Sequence, residues 1–286
     1  MLHLWHSRFG TNTVLVYKLE PSPTKAYFTF GKMSRSILLC CLVAVAVGIV
    51  SADEPSAIVN GQLAANGEFP YQVSLRAYGQ HFCGGSIISN RFILTAAHCL
   101  HPLMNRPLHD LSVVTGTNHI RNGGQSHAIA KLFCHPLYNP GQINWYNDIG
   151  IVQLARPMAF NRFQSAISLP AADPGRNGRA ILSGWGNDAA PPKGRATPNL
   201  MKISLSLITT AECQKRHTAT IFDNMICTTS PVNFGACNGD SGGPLVLRNI
   251  LIGVVSGGIP CARGFPDIFT NVHSFNSWIY GIINTN

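Results

Sequence analysis

The strongest constraint on the fold is a pattern of short apolar runs separated by turn residues, which continues from residue 58 to residue 286. Runs of this length bounded by Gly, Asn and Pro are typical of a β-barrel or β-sandwich. With 27 Gly, 18 Pro and only 12% charged residues, the composition argues against a coiled coil and against charge-driven disorder. The predicted strands are Gln72–Leu75, Ser86–Ile88, Phe92–Thr95, Leu111–Val114, Ile149–Leu154, Ala180–Ser183, Leu200–Leu205, Leu245–Leu247, Ile250–Ser256 and Ile268–Thr270.

One segment has a different period. Val272, Phe275, Ile279 and Ile282 recur at helical spacing, so we predict a C-terminal helix lying on the body of the protein. Residues 168–174 are typical of a linker between two halves of comparable size. The chain is therefore predicted to be mainly β with one terminal helix.

The segment at residues 33–52 has the order of features found in secretory signals. Arg35 precedes an apolar run of 14 residues, Ile37–Val50, and small residues follow it at the expected cleavage site. Residues 1–32 then form an overextended start, with Met33 as the initiator; a long basic region before the apolar run is the alternative. We predict that residues 53–57 form a short propeptide and that the protein is secreted.

Composition disfavours three classes of function. The net charge of +9 comes from basic residues scattered singly, so no nucleic-acid partner is predicted. The longest apolar run is shorter than the roughly 18 residues that span a bilayer, so no membrane anchor is predicted. Beyond the signal, an odd number of cysteines predicts at least one free or intermolecular thiol. None of them forms a CxxC pair, so a zinc site is disfavoured. These cysteines are Cys83, Cys99, Cys134, Cys213, Cys227, Cys237 and Cys261.

Three short segments contain the candidate catalytic residues: Thr95–Cys99, Asn147–Gly150 and Gly239–Pro244. They contain a histidine, an aspartate and a serine between glycines. A serine hydroxyl is a poor nucleophile at neutral pH unless a base lies within hydrogen-bond reach and a third group orients that base. The glycines allow a sharp turn that can point two N–H groups at a substrate carbonyl oxygen. The three segments together predict nucleophilic catalysis.

A nucleophile elbow of the α/β-hydrolase type is the competing interpretation, because residues 239–243 also match G-x-S-x-G. Ser241, Asp267 and His273 even follow the chain order of that fold. The elbow requires a strand before the serine and a helix after it, whereas this sequence indicates a turn followed by a strand. We therefore reject this interpretation.

From Ile58 to Asn286 the sequence resembles the chymotrypsin-like serine endopeptidases. The resemblance rests on the three segments above and on Ile58–Gly61, Phe82–Ser86 and Ser183–Gly186. It implies two six-stranded antiparallel β-barrels, at residues 58–170 and 171–286, with the active site between them and a C-terminal helix.

The resemblance also implies roles for individual residues. Ser241 is the nucleophile, His98 the general base and then acid, and Asp148 the orienting carboxylate. The N–H groups of Gly239 and Ser241 form the oxyanion hole. No cofactor and no metal are implied, and the loop that binds calcium in some relatives, residues 116–127, has no carboxylate here.

Maturation in this family frees the amino group of Ile58, which pairs with Asp240. Residues 53–57, immediately before Ile58, contain no Lys or Arg, so a trypsin-like activator has no side chain to bind there. Signal cleavage after Ala52 followed by a cut after Ala57 is the favoured route, and direct signal cleavage after Ala57 is the alternative. The active species is predicted to begin at Ile58 either way.

Four positions are implied to bind substrate: Gly235, Ser256, Gly258 and Asp267. Gly235 at the base of the primary pocket does not favour a plain Arg/Lys preference, and Gly258 leaves room for large side chains. With Asp267 on the wall, the set resembles the brachyurin-type serine collagenases, which cleave after both apolar and basic residues. Gly257 stands where relatives often have an aromatic residue, which predicts weaker binding beyond the primary pocket.

Two further expectations come from the resemblance. It implies the disulfides Cys83–Cys99, Cys213–Cys227 and Cys237–Cys261 and leaves Cys134 as a buried thiol. The chain is expected to be a monomeric enzyme whose partners are protein or peptide substrates and proteinaceous inhibitors. The alternative is an inactive homologue that acts as a binding or regulatory module.

For Asp267 there is also an alternative to substrate binding: its side chain could point away from the pocket and pair with Arg263.

Overall fold

The computed structural model describes residues 58–141, 145–189, 194–229, 231–259 and 261–286. The predicted signal, its upstream segment and the propeptide lie outside these residues. Within the described ranges, no helix is both long and apolar enough to cross a bilayer.

Six antiparallel strands of the first half, β2 to β7 in chain order, close into a barrel. Their order around the barrel is β2-β3-β4-β7-β6-β5. Alternate side chains of these strands point inward, and Val73, Leu75, Ile93 and Ile151 are almost completely buried. Burial of a side chain of this size contributes roughly 1.5–3 kcal/mol. The strands are β2 (Gln72–Ala77), β3 (Gln80–Ile87), β4 (Phe92–Thr95), β5 (Leu111–Thr115), β6 (Gln125–Cys134) and β7 (Gly150–Leu154).

The second half forms another ring of six antiparallel strands. Its order is β9-β10-β13-β12-β11-β8, and β8 pairs again with β9 to complete the ring. A short strand near the start of the described chain, β1 (Gln62–Leu63), adds to β9. The ring strands are β8 (Arg179–Gly184), β9 (Met201–Ile208), β10 (Met225–Thr229), β11 (Pro244–Leu247), β12 (Ile250–Gly258) and β13 (Asp267–Asn271). The predicted fold, two six-stranded antiparallel barrels, is confirmed.

Two of the twelve barrel strands, β6 and β10, were missed in the sequence, as was the short strand β1. In β6 half of the residues are exposed, and only His127 and Leu132 are buried. β10 is short and contains a half-cystine and two threonines. β3 also begins earlier than predicted, at Gln80, because Gly84 and Gly85 pair with β2 although they provide no side chain to bury.

The predicted C-terminal helix is confirmed as α3 (Asn276–Thr285), preceded by a 3-10 turn at Val272–Phe275. Val272, Phe275 and Ile279 are buried in the same apolar cluster as the core of the first barrel. The helix thus carries the end of the second barrel's chain back onto the first barrel.

The three disulfides implied by the resemblance are present. Cys83–Cys99 joins β3 to the short helix α1 (Ala97–Leu100), and Cys213–Cys227 joins α2 (Thr210–Gln214) to β10. Cys237–Cys261 connects the turn before Ser241 to the segment after β12. Cys134 is free and half-buried. A disulfide contributes about 2–4 kcal/mol of stability.

Candidate active site

The histidine and the aspartate of the predicted triad meet where β4 and β7 pair. Thr95 lies opposite Gly150 in this pair, so His98, just after β4, comes beside Asp148, just before β7. Asp148 Oδ1 accepts the backbone N–H of His98 at 2.8 Å, and Oδ2 lies 2.7 Å from Nδ1. The aspartate is 1% exposed. Two bonds to one residue fix the position of the imidazole ring.

The second barrel also holds Asp148. Ser256 Oγ donates to Oδ2 at 2.6 Å, and Thr270 Oγ1 donates to the backbone carbonyl of Asp148 at 2.6 Å. The resemblance implied substrate binding for Ser256 and no role for Thr270. In the structure both side chains fix the aspartate, although Ser256 also lines the neighbouring cavity.

The environment of His98 acts on its pKa in two directions. Burial of the ring lowers the pKa, whereas the hydrogen bond that Nδ1 donates to Asp148 and the negative charge of that carboxylate raise it; the net pKa lies above the ordinary histidine value. With the Nδ1 proton directed at Asp148, the Nε2 lone pair is free to accept a proton. The arrangement is that of an oriented general base.

Ser241 lies in a turn that the first barrel contacts directly. Gly84 N–H donates to the carbonyl of Ser241 at 2.8 Å. Gly242 has φ 75°, and a Cβ there would lie 2.1 Å from Thr95 Oγ1 and 3.3 Å from the Ala96 nitrogen. Only glycine therefore allows the serine turn to pack against the segment that leads to His98.

Ser241 Oγ and His98 Nε2 do not form a hydrogen bond in the structure; Nε2 instead lies 3.7 Å from Sγ of Cys99. Both residues are on the described chain, and the packing of Gly242 brings their segments together. Bonds between a nucleophile and its base are often long without substrate and shorten in the reacting complex. The structure therefore shows the paired histidine and aspartate and packs the serine turn against the segment that leads to the histidine.

The turn before Ser241 presents two N–H groups. Gly239 has φ 99°, and neither its N–H nor that of Ser241 donates to another described residue. His81 Nε2 lies 3.0 Å from the Gly239 carbonyl, and its Nδ1 lies 2.9 Å from Ser74 Oγ. His81 thus holds the turn from the first barrel. Nothing in the sequence alone distinguished it from the other histidines.

Asp240 is buried below this turn. Gly186 N–H donates to Oδ1 at 2.8 Å and Cys237 N–H to Oδ2 at 3.0 Å. Burial raises the pKa of Asp240 to about 7 although both bonds oppose the rise. A Cβ at either Gly184 or Gly186 would lie 2.1 Å from the carboxylate, which explains the glycines of this segment.

The side chain of Ile58 is fully buried in the core of the second barrel. In this chain Ile58 follows Ala57, so its nitrogen is part of a peptide bond. Val59 pairs with Gly235 in a single antiparallel bridge. The start of the described chain therefore lies beside the loop that leads to Asp240 and Ser241.

A cavity of about 150 Å³ opens beside Ser241, and Ser256, Gly258 and Asp267 are among its lining residues. Gly235 does not line this cavity and instead pairs with Val59. Of the four predicted substrate-binding residues, the structure thus brings three to one cavity. Its remaining lining residues are Ala236, Cys237, Asn238, Val255, Gly257 and Ile259.

Asp267 lies at the start of β13 and is 9% exposed. Its Oδ2 accepts the N–H of Ala236 at 3.1 Å, and no ion pair with Arg263 is present among the described residues. Burial raises the pKa of Asp267 to about 7, the Ala236 bond lowers it, and the charge of Asp240 raises it further. The carboxyl group faces the cavity rather than a surface cation.

Two other features do not qualify as the site. A larger cavity of about 600 Å³ includes Glu68, Arg179 and Lys202 in its lining but no histidine, cysteine or predicted site residue. Cys83, His98 and Cys99 are close enough together to suggest a metal site. However, the two cysteines form a disulfide and offer no thiolate, which is the form that binds metals.

Comparisons with known proteins show what this chain is similar to. The model of the Trypsin family matches residues 58–279. The chain is 39% identical over 223 residues to Chymotrypsin-2 of Vespa crabro, an alignment covering 78% of this chain and 98% of that protein. It is 34% identical to Hypodermin-A of Hypoderma lineatum, covering 86% and 97% of the two chains. With Trypsin of Xenopus laevis the identity is 33%, with 88% and 100% covered.

Proposed function

Because the chain belongs to the trypsin family, we propose that its mature form is a secreted serine endopeptidase that hydrolyses peptide bonds through an acyl-enzyme on Ser241. The observation that carries the proposal is the pair of hydrogen bonds between His98 and Asp148, beside a serine turn whose Gly239 and Ser241 N–H groups donate to no other described residue. Attack by a serine hydroxyl has two requirements: an oriented base that takes its proton, and N–H donors that stabilise the oxyanion.

In the first half of the reaction, Ser241 Oγ attacks the carbonyl carbon of the scissile peptide and its proton passes to His98 Nε2. The negative charge of Asp148 stabilises the imidazolium that results. The carbonyl oxygen becomes an oxyanion and accepts the N–H groups of Gly239 and Ser241, each worth roughly 3 kcal/mol of transition-state stabilisation.

The tetrahedral intermediate collapses when the carbon–nitrogen bond breaks and His98 gives its proton to the leaving amine. Water then attacks the ester on Ser241, again with His98 as base, and the acid product and the free hydroxyl are released. Substrate entering the cavity beside Ser241 brings the serine–histidine bond to its working length.

We propose a broad specificity for the residue on the acyl side of the cleaved bond, similar to that of brachyurin-type enzymes. The small residue Gly258 leaves room in the cavity for large apolar side chains, and the carboxyl group of Asp267 can attract Lys or Arg when it is ionised. Burying an unpaired carboxylate under an apolar side chain is costly, so the protonated form suits apolar substrates.

We propose that maturation follows the route expected from the sequence, in which a cut after Ala57 produces the active species. Cleavage after Ala57 frees the ammonium of Ile58, and that group pairs with Asp240. The proposal is supported by the burial of Ile58 and by the buried carboxyl group of Asp240, which has no cationic partner among the described residues. An unpaired buried carboxylate destabilises the turn it supports, and an ammonium removes that penalty.

Secretion is supported by the three disulfides, which are characteristic of oxidising compartments. Protein or peptide substrates are the partners that follow from the family, with proteinaceous inhibitors as further partners. An inactive homologue remains the alternative.

The experiment that tests the function is cleavage of a mixed peptide library by the mature protein and by its Ser241→Ala variant. We expect cleavage by the wild type alone, with both proteins folded by circular dichroism. Cleavage by both proteins would contradict the proposed nucleophile, and cleavage by neither would favour the inactive homologue.

A further inference from the structure

The floor of the 600 Å³ cavity is a row of polar side chains that crosses three strands of the second barrel. Arg179 on β8 lies opposite Ser206 on β9, and Ser206 lies opposite Thr229 on β10. Ser206 stands between Leu205 and Leu207, which are buried in the barrel core, so its own side chain points outward. Directly opposed residues share one face of a sheet, which places the whole row on the outer face.

The guanidinium of Arg179 lies along this row and donates three hydrogen bonds. Its Nε donates to Ser204 Oγ at 3.0 Å, its Nη1 to Ser206 Oγ at 3.2 Å and its Nη2 to the Ser204 carbonyl at 2.9 Å. A guanidinium has five N–H donors and a hydroxyl can donate as well as accept. Two N–H groups of Arg179 and both serine O–H groups therefore have no acceptor among the described residues.

A second arginine stands at the other end of the row. Arg216, which follows α2, donates from Nη1 to Thr229 Oγ1 at 3.2 Å and from Nη2 to the Gly264 carbonyl. The threonine hydroxyl thus also serves as an acceptor, and it donates its proton to no described residue. The row consists of hydroxyl donors between two guanidinium groups.

The positive charge of this row is not balanced by the protein. Among the described lining residues the only carboxylate belongs to Glu68, which pairs with Lys202 at 2.5 Å and accepts the Ala65 N–H at 2.8 Å. Neither Arg179 nor Arg216 forms an ion pair within the described chain. Donors and positive charge without an acceptor favour an anion, and a guanidinium matches a carboxylate in geometry.

The remaining walls of the cavity are apolar. The outward side chains of β9 that line it run from Ser206 to Lys202, a distance of about 13 Å. The volume lies within the range of roughly 300–1,000 Å³ that is typical of small-molecule sites. A concave surface of this kind suits an apolar tail better than a highly charged polymer. The apolar lining residues are Phe69, Ile181, Ile203, Pro231 and Phe234.

From these contacts we infer that the cavity on β8 and β9 is a binding site for a small amphipathic anion, namely a monomeric medium-chain carboxylate. The headgroup accepts from Arg179 and from the hydroxyls of Ser204 and Ser206, and the tail lies against the apolar walls. The inference does not depend on the proposed protease function, because none of the predicted catalytic residues lines this cavity.

The test is isothermal titration of the secreted protein with hexanoate, octanoate, decanoate and the neutral analogue decanol, all below their micelle or solubility limits. Affinity should rise several-fold with each added pair of methylene groups, because each pair buries more apolar surface. Decanol should bind at least about tenfold more weakly than decanoate, since it brings no charge to the guanidinium. Ser241→Ala should bind decanoate as the wild type does, which separates this site from the cavity beside Ser241.

Two variants locate the headgroup and the tail. Arg179→Gln should weaken decanoate binding about tenfold or more and leave decanol unchanged. Ile181→Ala should reduce the gain in affinity from octanoate to decanoate. Arg156→Gln, which removes an exposed arginine of the first barrel, is the matched control and should change neither. Thermal unfolding without ligand checks that each variant is folded.

Three results would overturn the inference. One is equal affinity of the wild type for decanoate and decanol, and another is an equal effect of Arg179→Gln and Arg156→Gln. The third is binding to phosphatidylglycerol vesicles without binding to monomeric decanoate, which would indicate a lipid surface in place of a single ligand. Absence of proteolytic activity would overturn the proposed function and leave this inference standing.

Discussion

The hydroxyl of Ser256 lies 2.6 Å from Oδ2 of Asp148, the same carboxylate oxygen that holds Nδ1 of His98 at 2.7 Å. The serine is on the second barrel and the other two residues are on the first. The orientation of the base therefore depends on how the two barrels meet, and not on the β4–β7 pair alone.

Loss of this contact should slow the reaction without unfolding the protein. Ser256→Ala removes one donor from a buried carboxylate, and hydrogen bonds to charged groups contribute about 1.5–3 kcal/mol. We expect kcat/KM to fall roughly 10- to 100-fold. Steady-state kinetics on an N-acetyl-phenylalanine ester measures this, with Ser126→Ala on the exposed face of β6 as control. A loss below twofold would show that the second barrel does not orient the base.

Selectivity between basic and apolar substrates should depend on pH through Asp267. Its pKa is raised to about 7, so the group is a neutral acid below pH 7 and a carboxylate above it. The ratio of kcat/KM for a Lys substrate to that for a Phe substrate should therefore rise between pH 6 and pH 8. Taking the ratio removes the protonation of His98, which affects both substrates equally.

The matched variant for this prediction is Asp267→Asn. It retains an oxygen that can accept the Ala236 N–H, but it does not ionise. Its substrate ratio should be independent of pH and several-fold lower for Lys at pH 8. A ratio that is flat in the wild type, or one that falls as the pH rises, would contradict the assignment of Asp267.

Activation should begin at Ile58 and should not need trypsin. N-terminal sequencing of the secreted active protein is expected to read Ile-Val-Asn-Gly. Trypsin should not increase the activity of the precursor, whereas the Ala57→Arg variant should become activatable by trypsin. An active protein with another first residue would refute this account.

Cys134 should be a slow, inert thiol in the folded protein. Burial raises its pKa to about 11, and the negative charge of Asp148 adds to the rise. Only the thiolate reacts with alkylating agents, so iodoacetamide at pH 7.5 should modify Cys134 at least tenfold faster after unfolding. Mass spectrometry of timed samples measures both rates. Equal rates in the two states would contradict the partly buried position.

The sequence predicted those parts of the fold that depend on local patterns. Ile149–Leu154 and Ile250–Ser256 appeared as apolar runs; the first covers all of β7 and the second covers most of β12. β6 could not be found in this way, because the exposed side chains of a strand need not be apolar, and half of the β6 residues are exposed. Its pairing with β5 and β7 is a property of the barrel.

The candidate site likewise combines features that were visible in the sequence with others that were not. The motifs around His98, Asp148 and Ser241 were visible in the sequence because each one is local. The contacts of Ser256 with Asp148 and of His81 with Gly239 join residues 108 and 158 positions apart. No local signal marks such a partner. The same holds for the indole ring of Trp145, which lies against the backbone of Gly257, 112 positions away in the chain.

Whether Ser241 is the nucleophile can be measured by mass spectrometry of the mature protein after treatment with a fluorophosphonate, which reacts only with an activated serine. We expect one equivalent of adduct located on Ser241, with hydrolytic activity lost in parallel. Ser241→Ala should remain unlabelled, and so should His98→Ala, because labelling needs the base that Asp148 orients. An adduct on a different serine, or an unmodified Ser241 in folded protein that begins at Ile58, would show that Ser241 is not the nucleophile.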